Sequence, residues 1–335
     1  MKTIGIIGSG SYCTSLIKII SENIKRYSQD IHICWFVRKS ETKDYILNHK
    51  HNPNYLSSVE LHLENIEIYT DINKCIQNSE HIILGIPSAY IYNILKNCDK
   101  NTFKDKTITT VIKGVIPETN EIVADYLKNS FSIDDNSISM ITGPSHAEEI
   151  ALEKLTYLTI ASSNEMLSAS LAKLLSNDYI KTILSTDLKG AEYASILKNV
   201  FAIAAGIYHG LGYGDNFHAF FMTNAIKELK KFVNNAAPIK RDIEDSAYLG
   251  DLLVTCYSVH SRNRTFGNYI GKGYSVKAAQ AEMNMVAEGY FAAKCMFELN
   301  KNFNIDLPIL DAVYQILYNH ANVGMEMQRL TAKLN

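Results

Sequence analysis

Thr3-Ile4-Gly5-Ile6-Ile7 reads as a buried strand that runs straight into Gly8-Ser9-Gly10-Ser11-Tyr12-Cys13, after which Thr14 to Ile20 has helical periodicity. This strand, tight turn and helix constrain the chain more than any other feature. Gly8 and Gly10 let the backbone turn sharply and approach a pyrophosphate, whose charge is favoured by the free N–H groups and dipole of a helix start. Cys13 stands where such a motif wants a third glycine for close packing of helix on strand. An ordinary turn is the competing reading of these residues.

The alternation continues. His32 to Val37, His81 to Ile86, Thr107 to Ile112, Ile138 to Thr142 and Leu155 to Ala161 are strand patterns with helical segments between several of them, which predicts an α/β, doubly wound, largely parallel sheet. Ligands of such sheets bind at the carboxyl ends of strands. Those ends carry Arg38-Lys39-Ser40, Pro87-Ser88, Lys113-Gly114 and Gly143-Pro144-Ser145. No acid follows the second strand to meet ribose hydroxyls; Arg38 and Lys39 suit a 2'-phosphate, or form a solvated basic turn. Ser145 and Glu148 have the spacing of a capping box, and Lys113 is either a surface charge or part of a site.

Near residue 188 the pattern changes to long helical segments, which predicts a domain boundary there, with a strand-and-helix domain over 1–188 and a helical domain over 189–335. Asp215 to Val233, Asn284 to Leu299 and the stretch opened by Pro308 read as helices. Gly190 to Asn216 sets Lys198 and Asn199 in an apolar helix whose neighbouring positions, Ala194, Ser195, Ala202, Ala205 and Gly206, are all small. That groove admits another backbone or a ligand. Lys198 is either snorkelling to solvent or desolvated and tuned for proton transfer. Asp251 to Cys256 and Ser261-Arg262-Asn263-Arg264 read as one loop, either a phosphate-holding arginine site or an exposed salt-bridged turn.

Composition narrows the class. The 335 residues are 47% hydrophobic and 20% charged, with a net charge of -2, so no overall basic field attracts nucleic acid or anionic membrane. The six cysteines are scattered without a CxxC pair, which predicts reduced thiols and, with no secretory or membrane-spanning run, a soluble cytoplasmic protein. His49 and His51 make a weak metal pair, and no metal is expected.

Taken together, GSGSYCTSL, HNPNYL, IPS, IKGVIPET, GPSHAEE, LKNVFAIAAGIYHGLGYGDN, GDLLVTCYSVHSRNRTFG and VAEGYFAAK resemble the NAD(P)-dependent glycerol-3-phosphate dehydrogenase family of bacterial type over nearly the whole chain. The resemblance implies a Rossmann-like domain followed by an all-helical domain. It also implies reversible hydride transfer between NADH or NADPH and C2 of dihydroxyacetone phosphate, giving sn-glycerol 3-phosphate for glycerophospholipid synthesis. By matching, Lys198 is the general acid and base, Lys113 stabilises charge at the carbonyl oxygen, and Asp251 orients Lys198. Gly143, Ser145, Asn199, Thr255, Ser261, Arg262 and Asn263 fall to the substrate, with Lys113 and Asp251. The cofactor falls to Gly8, Gly10, Ser11, Tyr12, Arg38, Lys113, Ala147, Arg262, Val286 and Glu288. A homodimer is the family expectation. Tyr12 stands where tryptophan is common, Cys13 for glycine and His146 for phenylalanine.

Overall fold

The computed structural model describes residues 2–283 and 287–335, so the cofactor assignment of Val286 falls outside the described residues. The chain divides into two compact units, Met1–Ile112 with Val123–Leu188, and Lys113–Ile122 with Lys189–Asn335.

In the first unit the strands are β1 (Thr3–Ile7), β2 (His32–Phe36), β3 (Ile66–Tyr69), β4 (His81–Leu84) and β5 (Thr107–Thr110). The chain then leaves for the short strands β6 (Val115–Ile116) and β7 (Glu121–Ile122) of the second unit. It returns with β8 (Ile138–Thr142), β9 (Thr156–Ala161) and β10 (Ile180–Ser185). The first unit's helices are α1 (Ser11–Tyr27), α2 (Ser40–His49), α3 (Ile72–Gln77), α4 (Ser88–Leu95), α5 (Val123–Phe131), α6 (Ala147–Ala151) and α7 (Glu165–Leu175).

Eight strands form one sheet in the order β10-β9-β8-β5-β4-β1-β2-β3, with every neighbouring pair parallel except β8 against β9. Strand β1 lies between β2 and β4, with Ile6 opposite both Trp35 and Ile83. The strand order therefore reverses beside β1, and the Gly8–Gly10 turn sits at that switch point. Buried on both sides, these strands read as continuous apolar runs, which is why the sequence pattern finds them. Of this sheet's strands, the two that the pattern does not reveal, β3 and β10, are its two edges, and their mixed exposure dilutes the apolar signal.

The second unit is helical apart from the β6–β7 hairpin. Its helices are α8 (Leu188–Gly210), α9 (Asp215–Ala236), α10 (Asp251–Tyr257), α11 (Arg262–Gly271), α12 (Val276–Glu282), α13 (Glu288–Asn300), α14 (Pro308–Tyr318) and α15 (Val323–Lys333). Val115 and Ile122 of the hairpin are buried in a core with Leu197, Phe201, Phe266 and Met296, which ties Lys113, two residues before β6, to this unit. Helix α8 presses its backbone on α11. A Cβ on Gly206 would come 2.1 Å from the Arg264 carbonyl oxygen, and one on Gly267 would come 2.0 Å from that of Ile203. The glycine end of the small-residue groove is thus filled by another backbone. Among the described residues, no helix is long and apolar enough to cross a membrane.

Candidate active site

Lys198 lies midway along α8 with only 4% of its surface exposed, and Asp251 opens α10 with 1% exposed. A buried ammonium without a partner would be costly, and the carboxylate answers it. Lys198 Nζ pairs with Asp251 Oδ1, while Lys113 Nζ reaches Asp251 Oδ2 at 3.4 Å. A single π-helical turn, Ser246–Gly250, runs directly into α10 and presents Asp251 to both lysines. Burial pushes Lys198 down from the ordinary lysine range; Asp251 opposes this and the Lys113 ammonium adds to it, and the net shift is downward. Burial alone would raise the Asp251 carboxyl, but the two ammonium groups hold it below the usual carboxylate range. The snorkelling reading of Lys198 is therefore excluded.

A chain of amides stands beside this cluster. Asn199 Nδ2 donates to the Lys113 carbonyl oxygen at 3.1 Å, Asn263 Nδ2 donates to Asn199 Oδ1 at 2.9 Å, and the Gly289 N–H donates to Asn263 Oδ1 at 2.9 Å. Gly289 is needed there because a Cβ would lie 2.6 Å from the Asn199 carbonyl oxygen. Next to it, Glu288 opens α13; burial raises its carboxyl above the usual range against the opposing pull of Arg262, Lys113 and Lys198.

The stretch from Asp251 to Gly267, expected as a loop, is two helices joined at 258–261. Thr255 Oγ1 donates back to the Asp251 carbonyl oxygen at 2.6 Å, as a hydroxyl one helical turn on can. Ser261 is the N-cap of α11, its oxygen accepting from the Arg264 N–H at 3.3 Å. Arg262 is the first residue of that helix and is exposed, while Ser261 and Asn263 on either side are buried.

In the first unit Gly8, Gly10, Ser11 and Tyr12, expected to hold a dinucleotide, follow β1, and Gly85, just past the end of β4, abuts Gly8. Gly8 has φ +134°, and a Cβ there would lie 2.6 Å from the Gly85 carbonyl oxygen. Over Gly10 the space is open: a Cβ would meet nothing within 4 Å. Gly10 is the N-cap of α1, no side chain caps that helix, and no acid stands in its first turn. An open glycine at an uncapped helix start, with no negative side chain in the first turn, fits a pyrophosphate. Cys13 fills the place of the third glycine by abutting Gly85, where a Cβ would fall 2.1 Å from its sulfur.

Two bracing residues were not foreseen as part of this turn. Trp35 Nε1, at the end of β2, donates to the Gly8 carbonyl oxygen at 2.8 Å. Asn52 Nδ2 donates to the Ser9 carbonyl oxygen and to Thr14 Oγ1, both at 2.9 Å. Asn52 belongs to the HNPNYL stretch, so the motif was visible although its task was not. Arg38 is exposed just past β2.

Gly143, at φ +96°, follows β8, and Ala147 opens α6. The expected capping box is absent: the N-cap of α6 is His146, without a side-chain cap bond, and Ser145 Oγ turns back to donate to the Gly143 carbonyl oxygen at 3.0 Å. Ser145 Oγ also lies 3.1 Å from the Tyr12 hydroxyl. Among the described residues, no group of three His, Cys, Asp or Glu could hold a metal ion.

Residues 3–168 match the family described as NAD-dependent glycerol-3-phosphate dehydrogenase N-terminus, and residues 187–328 match its C-terminus. The chain is similar to glycerol-3-phosphate dehydrogenase [NAD(P)+] of Staphylococcus epidermidis, with 32% identity over 331 residues covering 98% of each protein. The relative of the same description from Clostridium botulinum is 32% identical over 333 residues, covering 98% of this chain and 97% of the other. Among solved structures, the glycerol-3-phosphate dehydrogenase of Coxiella burnetii matches with a TM-score of 0.89 and 26% identity over 98% of both chains. With both halves matched and full-length relatives above 30% identity, the chain belongs to the NAD-dependent glycerol-3-phosphate dehydrogenase family.

Proposed function

We propose that this chain is a glycerol-3-phosphate dehydrogenase that interconverts dihydroxyacetone phosphate and sn-glycerol 3-phosphate with NAD or NADP. The observation that carries the reading is the buried Asp251 carboxylate paired with both Lys198 and Lys113 in a chain of that family. When bound, the reduced nicotinamide supplies a hydride to the substrate's C2. What the chain itself must do is manage the proton and the charge at the C2 oxygen.

In reduction the Lys198 ammonium gives its proton to the oxygen as negative charge develops there; in oxidation the Lys198 amine takes the hydroxyl proton. Asp251 keeps the lysine oriented and offsets its desolvation. Lys113 adds a second positive charge that favours the oxyanion, worth most in a site that excludes water. Arg262 presents a guanidinium fork suited to the phosphate dianion, with Ser261, Asn263, Asn199 and Thr255 around it. Gly143 and Ser145 are assigned to the substrate. The dinucleotide is assigned to Gly8, Gly10, Ser11, Tyr12, Arg38, Lys113, Ala147, Arg262 and Glu288. The proposed setting is a cytoplasmic homodimer supplying glycerophospholipid synthesis.

The test is spectrophotometric oxidation of NADH and of NADPH with dihydroxyacetone phosphate against unphosphorylated dihydroxyacetone. Activity confined to the phosphorylated ketone supports the reading; no turnover with either cofactor would leave a non-catalytic nucleotide sensor. Lys198→Ala is expected to lower turnover by roughly 10² to 10⁴ while circular dichroism and dinucleotide affinity persist, the range for removing a general acid. Near-normal turnover in that variant removes Lys198 from the proton transfer.

A further inference from the structure

The Tyr12 hydroxyl meets Ser145 Oγ at 3.1 Å, joining the first turn of α1 to the loop that follows β8. Ser145 is 8% exposed, and its Oγ also lies 3.0 Å from the Gly143 carbonyl oxygen. A serine hydroxyl has one proton, and a carbonyl oxygen can only accept, so the Ser145 proton goes to Gly143. The Tyr12 phenol must then be the donor to Ser145. What remains on Ser145 Oγ is a lone pair.

We propose that Tyr12 is a positioning residue that fixes Ser145 as a hydrogen-bond acceptor, so that Ser145 reads the substrate's free hydroxyl and not its phosphate. The inference rests on the assignment of Ser145 to the substrate made above. Of the polar groups on dihydroxyacetone phosphate, the ketone oxygen and the phosphate dianion oxygens only accept, and only the C1 hydroxyl can donate. An acceptor held in place by two partners therefore matches that hydroxyl. It offers nothing to a methyl group in the same position, where its lone pair would be left unpaired. Tyr12, the second residue of α1, thereby also sets which end of a three-carbon phosphate is recognised.

The experiment compares kcat/KM for dihydroxyacetone phosphate with that for hydroxyacetone phosphate, which keeps the ketone and the phosphate and lacks the C1 hydroxyl. The purified full-length wild type, Tyr12→Phe, Ser145→Ala and the double variant are each assayed at saturating cofactor. Wild type is expected to prefer the hydroxylated ketone, and the preference to fall about threefold to tenfold in Ser145→Ala, the range for one neutral hydrogen bond. Tyr12→Phe is expected to lose most of the same preference, and the double variant no more than Ser145→Ala. A merely structural role would depress both substrates alike and leave the ratio unmoved.

An unchanged ratio in Tyr12→Phe alongside a lost ratio in Ser145→Ala overturns the positioning role, and an unchanged ratio in Ser145→Ala overturns the hydroxyl reading. A wild type that reduces neither ketone overturns the proposed function itself, a result separable from the other two.

Discussion

At the scale of single residues, one buried carboxylate serves two lysines, and this gives the reaction a pH signature. Because burial and Lys113 lower the Lys198 value, its ammonium discharges at a lower pH than an ordinary lysine. In the proposed role of Lys198 reduction uses the charged form, so turnover in that direction is expected to fall as pH rises through the lowered value; oxidation uses the neutral amine and is expected to rise over the same window. Asp251→Asn removes the charge that opposes discharge, so both limbs should move to lower pH. Profiles of kcat in the two directions measure this, and profiles that stay in place in the variant would falsify the pairing. A second residue-scale expectation concerns Cys13. Gly85→Ala would put its methyl 2.1 Å from the Cys13 sulfur, and this overpacking should cost about 1–3 kcal/mol in urea denaturation. In a Cys13→Gly background much of that cost should disappear, since the two positions share one space. Equal costs in both backgrounds would show that the sulfur is not the obstacle.

At the scale of elements, the helix that carries Lys198 is fixed by its neighbours. The glycines of α8 and α11, Gly206 and Gly210 against Gly267 and Gly271, let two backbones meet directly. Small residues at helical spacing announce such a contact, but they do not say which helix will fill it. Elsewhere one helix caps another: Glu228, 5% exposed on α9, accepts from the Ile309 N–H at 2.8 Å and the Leu310 N–H at 3.0 Å in the first turn of α14. Pro308 opens α14 in keeping with its fixed φ and missing N–H, while the cap comes from far away in sequence. Glu228→Gln leaves one acceptor oxygen for two donors and turns an amide N–H₂ toward the other. A loss of about 1–3 kcal/mol is expected from the chemical denaturation midpoint. A midpoint equal to that of the parent would mean that the cap adds no stability.

At the scale of the whole molecule, two units with separate cores share one chain that crosses between them more than once. The strand-rich half and the helical half were legible because hydrophobic periodicity is local: β1, β4 and β8 are buried runs, and α9 and α14 carry an apolar stripe at helical spacing. The sheet's edges escaped because half-exposed strands carry a weaker pattern. The stretch from Asp251 to Gly267 reads as a loop because its polar residues hide helical caps and buried partners. By itself the sequence singled out candidates for the chemistry, Lys198, Lys113, Asp251, Arg262 and the Gly8–Gly10 turn, since residue type and neighbourhood are written in order along the chain. Only the tertiary structure decided that Lys113–Ile122 leaves the sheet unit for the helical one, that Lys113 and Lys198 meet on one carboxylate, and that Tyr12 finds Ser145. Those choices depend on burial and hydrogen-bond satisfaction between residues more than a hundred positions apart or on different elements, which no local periodicity encodes.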